Sequence, residues 1–176
     1  ELNKSEEMSR LHENHVGQTA LFGVHFALTE LLKSWGVTPS AVVGHSLGEI
    51  SAACASGALS LSGALKLVLI RSQLHEKCSP TGCMAAIGLS VQDARSMLEE
   101  LHLENQIDIA AVNSPASVVL SGDKVSMELV NGHVMNTRSN VFWRKLTTTR
   151  AYHSLQMEEI KQEFIERTSK IKLHPC

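Results

Sequence analysis

Long apolar runs are missing from this chain. Runs such as Leu67 to Ile70 fall far short of a membrane span. Basic surplus is missing too: 16 Lys and Arg stand against 18 Asp and Glu, a formal charge of −2. A nucleic-acid binder needs excess cations to neutralise phosphates, so that class is disfavoured. The four cysteines (Cys54, Cys78, Cys83 and Cys176) include no CxxC pair and make no disulfide framework at 176 residues. Reduced thiols are expected, and no metal site. Aromatics amount to 4%. The first ten residues carry no secretory or transit pattern, and the chain opens at Glu1 without methionine, which reads as trimmed ends or a piece of something longer. What is present is 43% apolar residues and 19% charged, enough for a core and too little charge for disorder. A soluble cytosolic globular protein is the expectation.

Periodicity then orders the chain. Leu21, Val24, His25, Leu28, Leu31, Leu32 and Trp35 recur at three- and four-residue steps and predict one apolar helical stripe, closed by Gly36. Ala41-Val42-Val43 predicts a short buried strand. A small-residue helix over 49–56 ends at Gly57, and residues 62–76 predict a helix apolar almost all round, hence buried. Further on, strands are expected over 83–89, 107–112, 117–121 and 141–147, with helices after Ser90 and Asp123 and a last helix over 155–170. The order β-α-β-β-α-β is the split βαβ pattern. It predicts a ferredoxin-like unit at 82–148 inserted into a larger α/β body.

Between the expected strand at 41–43 and the helix after it lies Gly44-His45-Ser46-Leu47-Gly48, a G-x-S-x-G sequence in strand–turn–helix context. Ser46 is the candidate nucleophile, on a tight turn whose glycines allow close backbone approach on both sides. The Leu47 amide, at a helix N-terminus, is a candidate oxyanion donor. A serine needs a base. Of the nine histidines, His12, His15, His75, His102, His133 and His174 lie in polar or terminal surroundings and read as surface residues. His25 belongs to the first helix and reads as packed. His45 adjoins the serine and is a candidate substrate contact. His153, in Tyr152-His153-Ser154, follows the last strand of the inserted unit and stays an even candidate for the base. Arg71 closes the apolar run 67–70. A guanidinium there is suited to a carboxylate, or else has a partner on the protein.

These residues carry a resemblance. Gln18-Thr19-Ala20-Leu21-Phe22, then Trp35-Gly36-Val37-Thr38-Pro39 running into Gly44-His45-Ser46-Leu47-Gly48-Glu49, resemble the acyltransferase domains of type I polyketide and fatty acid synthases. That family includes the stand-alone malonyl-CoA:acyl carrier protein transacylases. Arg71, Gly82-Cys83-Met84-Ala85-Ala86, Ala111-Val112-Asn113-Ser114-Pro115 and Ala151-Tyr152-His153-Ser154 follow in family order. The resemblance implies an α/β-hydrolase-like body with a ferredoxin-like small subdomain, the body formed by 1–81 and 149–176. It implies that Ser46 is acylated, His153 is its base, Arg71 holds a malonyl carboxylate and Asn113 sits near the cleft. It also implies no bound cofactor, a coenzyme A thioester donor, phosphopantetheine on an acyl carrier protein as acceptor, and ketosynthase neighbours. Within the family, a GHSLGE-like elbow and an HAFH-like loop go with malonyl, GHSQGE and YASH with methylmalonyl. Here the loop reads Arg150-Ala151-Tyr152-His153, and the Tyr152 ring should crowd an α-methyl branch. No GxGxQ-type loop precedes Gln18, which implies an internal fragment lacking one oxyanion donor, a loss worth ~100- to 1000-fold in rate. A serine hydrolase or thioesterase, or a non-catalytic fragment, remains the alternative.

Overall fold

A computed structural model describes residues 9–148 and 150–175. Expectations resting on residues 1–8, Thr149 and Cys176, that last thiol included, lie outside the described residues. The chain divides into two units, Glu1–Lys77 with Gln162–Cys176, and Cys78–Lys161. The architecture is α/β, with one small antiparallel sheet among the described residues. No helix among the described residues is long and apolar enough to cross a membrane.

The first unit, which also takes in most of the chain's last helix, is built on α1 (Asn14–Ser34), α2 (Gly48–Ala55) and α3 (Leu61–Lys77). They meet around Phe22, Leu47, Ile50, Leu59, Ala64 and Val68. Helix α1 ends as its glycine predicts. Gly36 adopts φ +82°, its amide donates to the Lys33 carbonyl at 2.9 Å, and the Val37 amide reaches back to Leu32 at 3.1 Å. At the other end of the unit the Leu173 segment bridges to Leu59, and the His174 amide donates to the Ala58 carbonyl at 3.0 Å.

Three expectations for this unit are corrected. Ala41–Val43 is not a strand, because no described segment pairs with it; Val43 is 96% exposed. Three apolar residues satisfy the sequence rule, but a strand exists only in a ladder. The predicted stripe of α1 is also turned outward. Leu21, Leu28, Leu31, Leu32 and Trp35 are exposed, and the helix buries Phe22 instead. Helix α1 is apolar on two faces, so periodicity cannot choose between them. Helix α3, expected to be enclosed, buries Ala64, Val68, Ser72, Leu74 and His75 but leaves Leu61 and Leu69 exposed.

The second unit is a four-stranded sheet with two helices: β1 (Gly82–Ile87), α4 (Val91–Glu100), β2 (Ile107–Ser114), β3 (Ser117–Asp123), α5 (Lys124–Thr137) and β4 (Trp143–Lys145). Spatial order is β2-β3-β1-β4, every neighbouring pair antiparallel. Strand β1 is central and buried on both faces through Cys83, Met84, Ala85 and Ile87. Local chemistry sets the joints. Ser90 caps α4, accepting from the Asp93 amide at 3.1 Å while its hydroxyl donates to the Asp93 carboxylate at 2.6 Å. Pro115 and Ala116 make the β2–β3 turn. Asp123 caps α5 through the Ser126 amide at 2.9 Å. The sides of α4 and α5 that carry Met97, Leu98, Met127, Val130 and Val134 close the core.

Strand β4 is shorter than the expected 141–147. Beyond Leu146 the Thr148 amide folds back onto the Leu146 carbonyl at 2.9 Å, a tight turn that ends the pairing. The last helix, α6 (Glu158–Thr168), starts later than expected because a single 3-10 turn, Leu155–Met157, precedes it.

Candidate active site

The turn before α2 is built from overlapping backbone bonds. The Gly48 amide donates to the His45 carbonyl at 2.9 Å, Glu49 to Ser46 at 3.1 Å, and Ile50 to Leu47 at 3.1 Å. Ser46 sits in this turn with φ +53°, one of three non-glycine residues with positive φ among those described. A side-chain-bearing residue held there is under backbone strain, a feature that gathers at functional sites. The Leu47 side chain is buried in the helical core. Its amide donates to no other described residue and belongs to the helix's first turn, where the backbone dipole favours negative charge. His45 is exposed beside the serine.

Only one glycine of the motif is sterically required. A Cβ at Gly44 would lie 2.2 Å from the Gly48 carbonyl and 2.3 Å from the Glu49 nitrogen, so the chain passes directly over the start of α2. A Cβ at Gly48 would meet nothing within 4 Å, which corrects the expectation of close approach on both sides.

Arg71, on α3, reaches this turn. Its Nη2 donates to Ser46 Oγ at 3.1 Å, and its Nη1 donates to Gln18 Oε1 on α1. The other end of the Gln18 amide, Nε2, lies 3.0 Å from His75 Nδ1 and 3.4 Å from Asn14 Oδ1. His75, read from sequence as a surface residue, is 7% exposed. The reason is its place one turn beyond Arg71 on the buried row of α3. His25 Nδ1 is 3.0 Å from Ser51 Oγ and ties α1 to α2, in keeping with a packed residue. Sequence reasoning gives Gln18 no role and misplaces His75. The missed signal was positional: Gln18 is four residues before buried Phe22, and His75 four after Arg71.

His153 belongs to the second unit. It too has positive φ, +58°, and is exposed. The bonds around it hold that conformation. Ser154 Oγ donates to the Ala151 carbonyl at 2.7 Å and accepts from the Gln156 amide at 3.2 Å. The Leu155 amide donates to Asp108 Oδ2 on β2 at 2.9 Å. Ala151 is fully buried, and the start of β1 presses against it. A Cβ at Gly82 would lie 2.0 Å from the Ala151 nitrogen. Tyr152 is half-buried in the same loop, and Asn113 is exposed near the end of β2. Thus Ser46, Leu47, His45 and Arg71 come together in the first unit. Tyr152 and His153 share a loop of the second, and Asn113 stands on another element of it.

Burial pushes the thiols of Cys54, Cys78 and Cys83 up, so none resembles an activated nucleophile.

The chain is also similar to known proteins. Residues 2–176 match the acyl transferase domain family. The highly reducing polyketide synthase PKS2 of Leptosphaeria maculans is 41% identical over 172 residues, covering 94% of this chain and 7% of that protein. The acyltransferase domain from the second module of the salinomycin polyketide synthase superposes with a TM-score of 0.88 at 34% identity, covering 98% of this chain and 39% of the other. A loading acyltransferase from the avermectin modular polyketide synthase gives 0.90 at 31% identity, with 99% and 55% covered. The chain therefore spans about 7% of the length of curated relatives such as PKS2.

Proposed function

The chain belongs to the acyl transferase domain family, and we propose that it carries a malonyl group from coenzyme A to a carrier-bound thiol through an ester on Ser46. The observation that carries the reading is the 3.1 Å contact between Arg71 Nη2 and Ser46 Oγ. A guanidinium this close to the attacking oxygen grips a group only a few ångströms from the reacting carbonyl. In malonyl thioesters one methylene separates carboxylate from thioester, so both ends are met at once. Longer dicarboxylates place the charge too far away, and acetyl offers none.

In the proposed sequence His153 takes the Ser46 proton as the oxygen attacks the thioester carbon, and the Leu47 amide donates to the developing oxyanion. The C–S bond breaks, His153 returns the proton to the departing coenzyme A thiolate, and malonyl-Ser46 remains. The phosphopantetheine thiol of an acyl carrier protein then attacks that ester in the reverse sense, regenerating the serine. No bound cofactor takes part. His45, Asn113 and Tyr152 are proposed to line the acyl site, with the Tyr152 ring disfavouring an α-methyl branch; one methyl is worth only ~1–3 kcal/mol, so selection is partial. In fold terms we read 82–148 as a ferredoxin-like subdomain and 1–81 with 149–176 as an α/β-hydrolase-like body, in a cytoplasmic synthase with ketosynthase and carrier domains as neighbours.

The test uses the full-length protein with malonyl-CoA and a carrier protein. Mass spectrometry should find a malonyl adduct on Ser46, absent in Ser46→Ala and reduced in Arg71→Ala, followed by transfer to the carrier. Free malonate without transfer, at a rate unaffected by Arg71→Ala, would establish a hydrolase instead.

A further inference from the structure

Gln18 bridges two side chains of α3 that lie one turn apart. Its amide has distinguishable ends, an acceptor oxygen and a donor nitrogen. The oxygen accepts from Arg71 Nη1 and the nitrogen faces His75 Nδ1 at 3.0 Å. Only this orientation serves both neighbours. Reversed, the NH2 group would point at the guanidinium, donor against donor, and the Arg71 contact with Ser46 would lose its brace. The second acceptor available to Gln18 Nε2, Asn14 Oδ1, stands off at 3.4 Å and is a weak substitute. The choice of amide orientation thus depends on His75 Nδ1 being an acceptor, with the ring proton on Nε2. His75 is 7% exposed.

We propose that His75 is a positioning residue: by accepting from Gln18 Nε2 it fixes the amide with its oxygen toward Arg71, and so sets the preference for carboxylated over uncarboxylated acyl groups. This rests on the reading of Arg71 as the carboxylate grip. His75 touches neither the serine nor the acyl group; its effect travels through one amide.

The experiment measures the rates of Ser46 acylation by malonyl-CoA and by acetyl-CoA in the full-length protein and takes their ratio. Partial unfolding lowers both rates alike and leaves the ratio unchanged, so a purely structural role for His75 is silent in this readout. Removing an acceptor that braces a charged group should lower the ratio about 10-fold in His75→Leu. His75→Asn, whose Oδ1 takes the place of Nδ1, should return it close to the wild-type value. In a Gln18→Leu background, His75→Leu should change nothing further. His75→Phe keeps a ring without the acceptor and should lower the ratio equally if the leucine variant does not fold. Arg71→Ala separates the positioning role from the carboxylate grip. If it collapses the ratio while His75→Leu and His75→Phe leave it at wild type, or if His75→Asn is as low as leucine, the positioning role is overturned and the Arg71 reading stands. If Arg71→Ala also leaves the ratio unchanged, the carboxylate reading itself fails.

Discussion

Replacing Gly44 with alanine adds one methyl group to the turn that carries the nucleophile. The added carbon would lie 2.2 Å from both the carbon and the oxygen of the Gly48 carbonyl and 2.3 Å from the Glu49 nitrogen. Non-bonded carbons sit ~3.5 Å or more apart, so a gap of about 1.3 Å has to open. All three obstructing atoms are backbone, and no rotamer change relieves them. Either the turn lifts away from α2 or the first turn of α2 unwinds. Overpacking of this kind costs about 1–3 kcal/mol, or roughly 2–4 °C in melting temperature for each kcal/mol in a chain of this size. The kinetic effect should be larger. A displacement near 1 Å moves Ser46 Oγ relative to the Leu47 amide and Arg71, and misplacements of that size cost about 100-fold in rate. Acylation of Ser46 by malonyl-CoA, followed by intact-protein mass spectrometry beside a thermal melt, reads both. Gly48→Ala is the internal control: its Cβ meets nothing within 4 Å, and alanine is the better helix former. It should acylate at the wild-type rate and melt no lower. Wild-type acylation by Gly44→Ala, or equal damage from the two substitutions, would refute the idea that one glycine sets the turn's geometry.

Gly82→Ala should act on the proposed base in the same way, since its Cβ would fall 2.0 Å from the Ala151 nitrogen; acylation should slow while the α3 amides keep their hydrogen-exchange protection. Asp123 carries a pH prediction. Burial pushes its carboxyl up, but hydrogen bonds from the Ser126 hydroxyl and from the amides of Ser126 and Val125 outweigh burial and hold it below the ordinary aspartate value. A folded-state value below the unfolded one stabilises the protein above about pH 4 and is lost as pH falls through the folded-state value. Hydrogen-exchange protection at the first turn of α5, taken relative to the intrinsic rate at each pH, should therefore fall on acidification in wild type, and not in Asp123→Asn, which keeps the capping oxygen without the titration.

The second unit was largely legible because its signals are local and redundant. Ser90 and Asp123 announce helix starts, Pro115 and Ala116 a turn, and the faces holding Met97, Leu98, Met127 and Val130 have somewhere to point: one sheet. Local propensity and burial agree, and agreement between levels is what makes a pattern readable. The first unit failed where that agreement breaks. Leu21, Leu28 and Leu31 make a better-looking stripe than Phe22 and Phe26, but the second pair faces α2 and α3. Ala41–Val43 has strand composition and lacks a ladder partner among the described residues. Both errors share one cause. Sequence periodicity reports that a face is apolar and not what covers it.

The site divides along a different line. Ser46 was legible because G-x-S-x-G ties a chemical role to a backbone shape, and the shape is there in its positive φ. The Arg71 network was half legible. A guanidinium after an apolar run demands an anion or a polar partner, but the partners lie 53 residues away at Gln18 and 25 away at Ser46, and no local rule spans such gaps. His75 was lost because its neighbours Glu76 and Lys77 are polar, and composition averages over the turn. Helical phase does not: His75 follows Arg71 by four residues and Val68 by seven, which puts it on the buried row whatever its neighbours are. A buried polar residue needs a hydrogen-bonding partner, and a guanidinium and an imidazole whose facing nitrogen accepts can share one only if it offers both a donor and an acceptor. Glutamine and asparagine are the side chains that do so with both ends fixed in one plane. The phase of α3 asks for a polar partner opposite Arg71 and His75, an amide meets that need when the imidazole accepts, and Gln18 near the start of α1 supplies one.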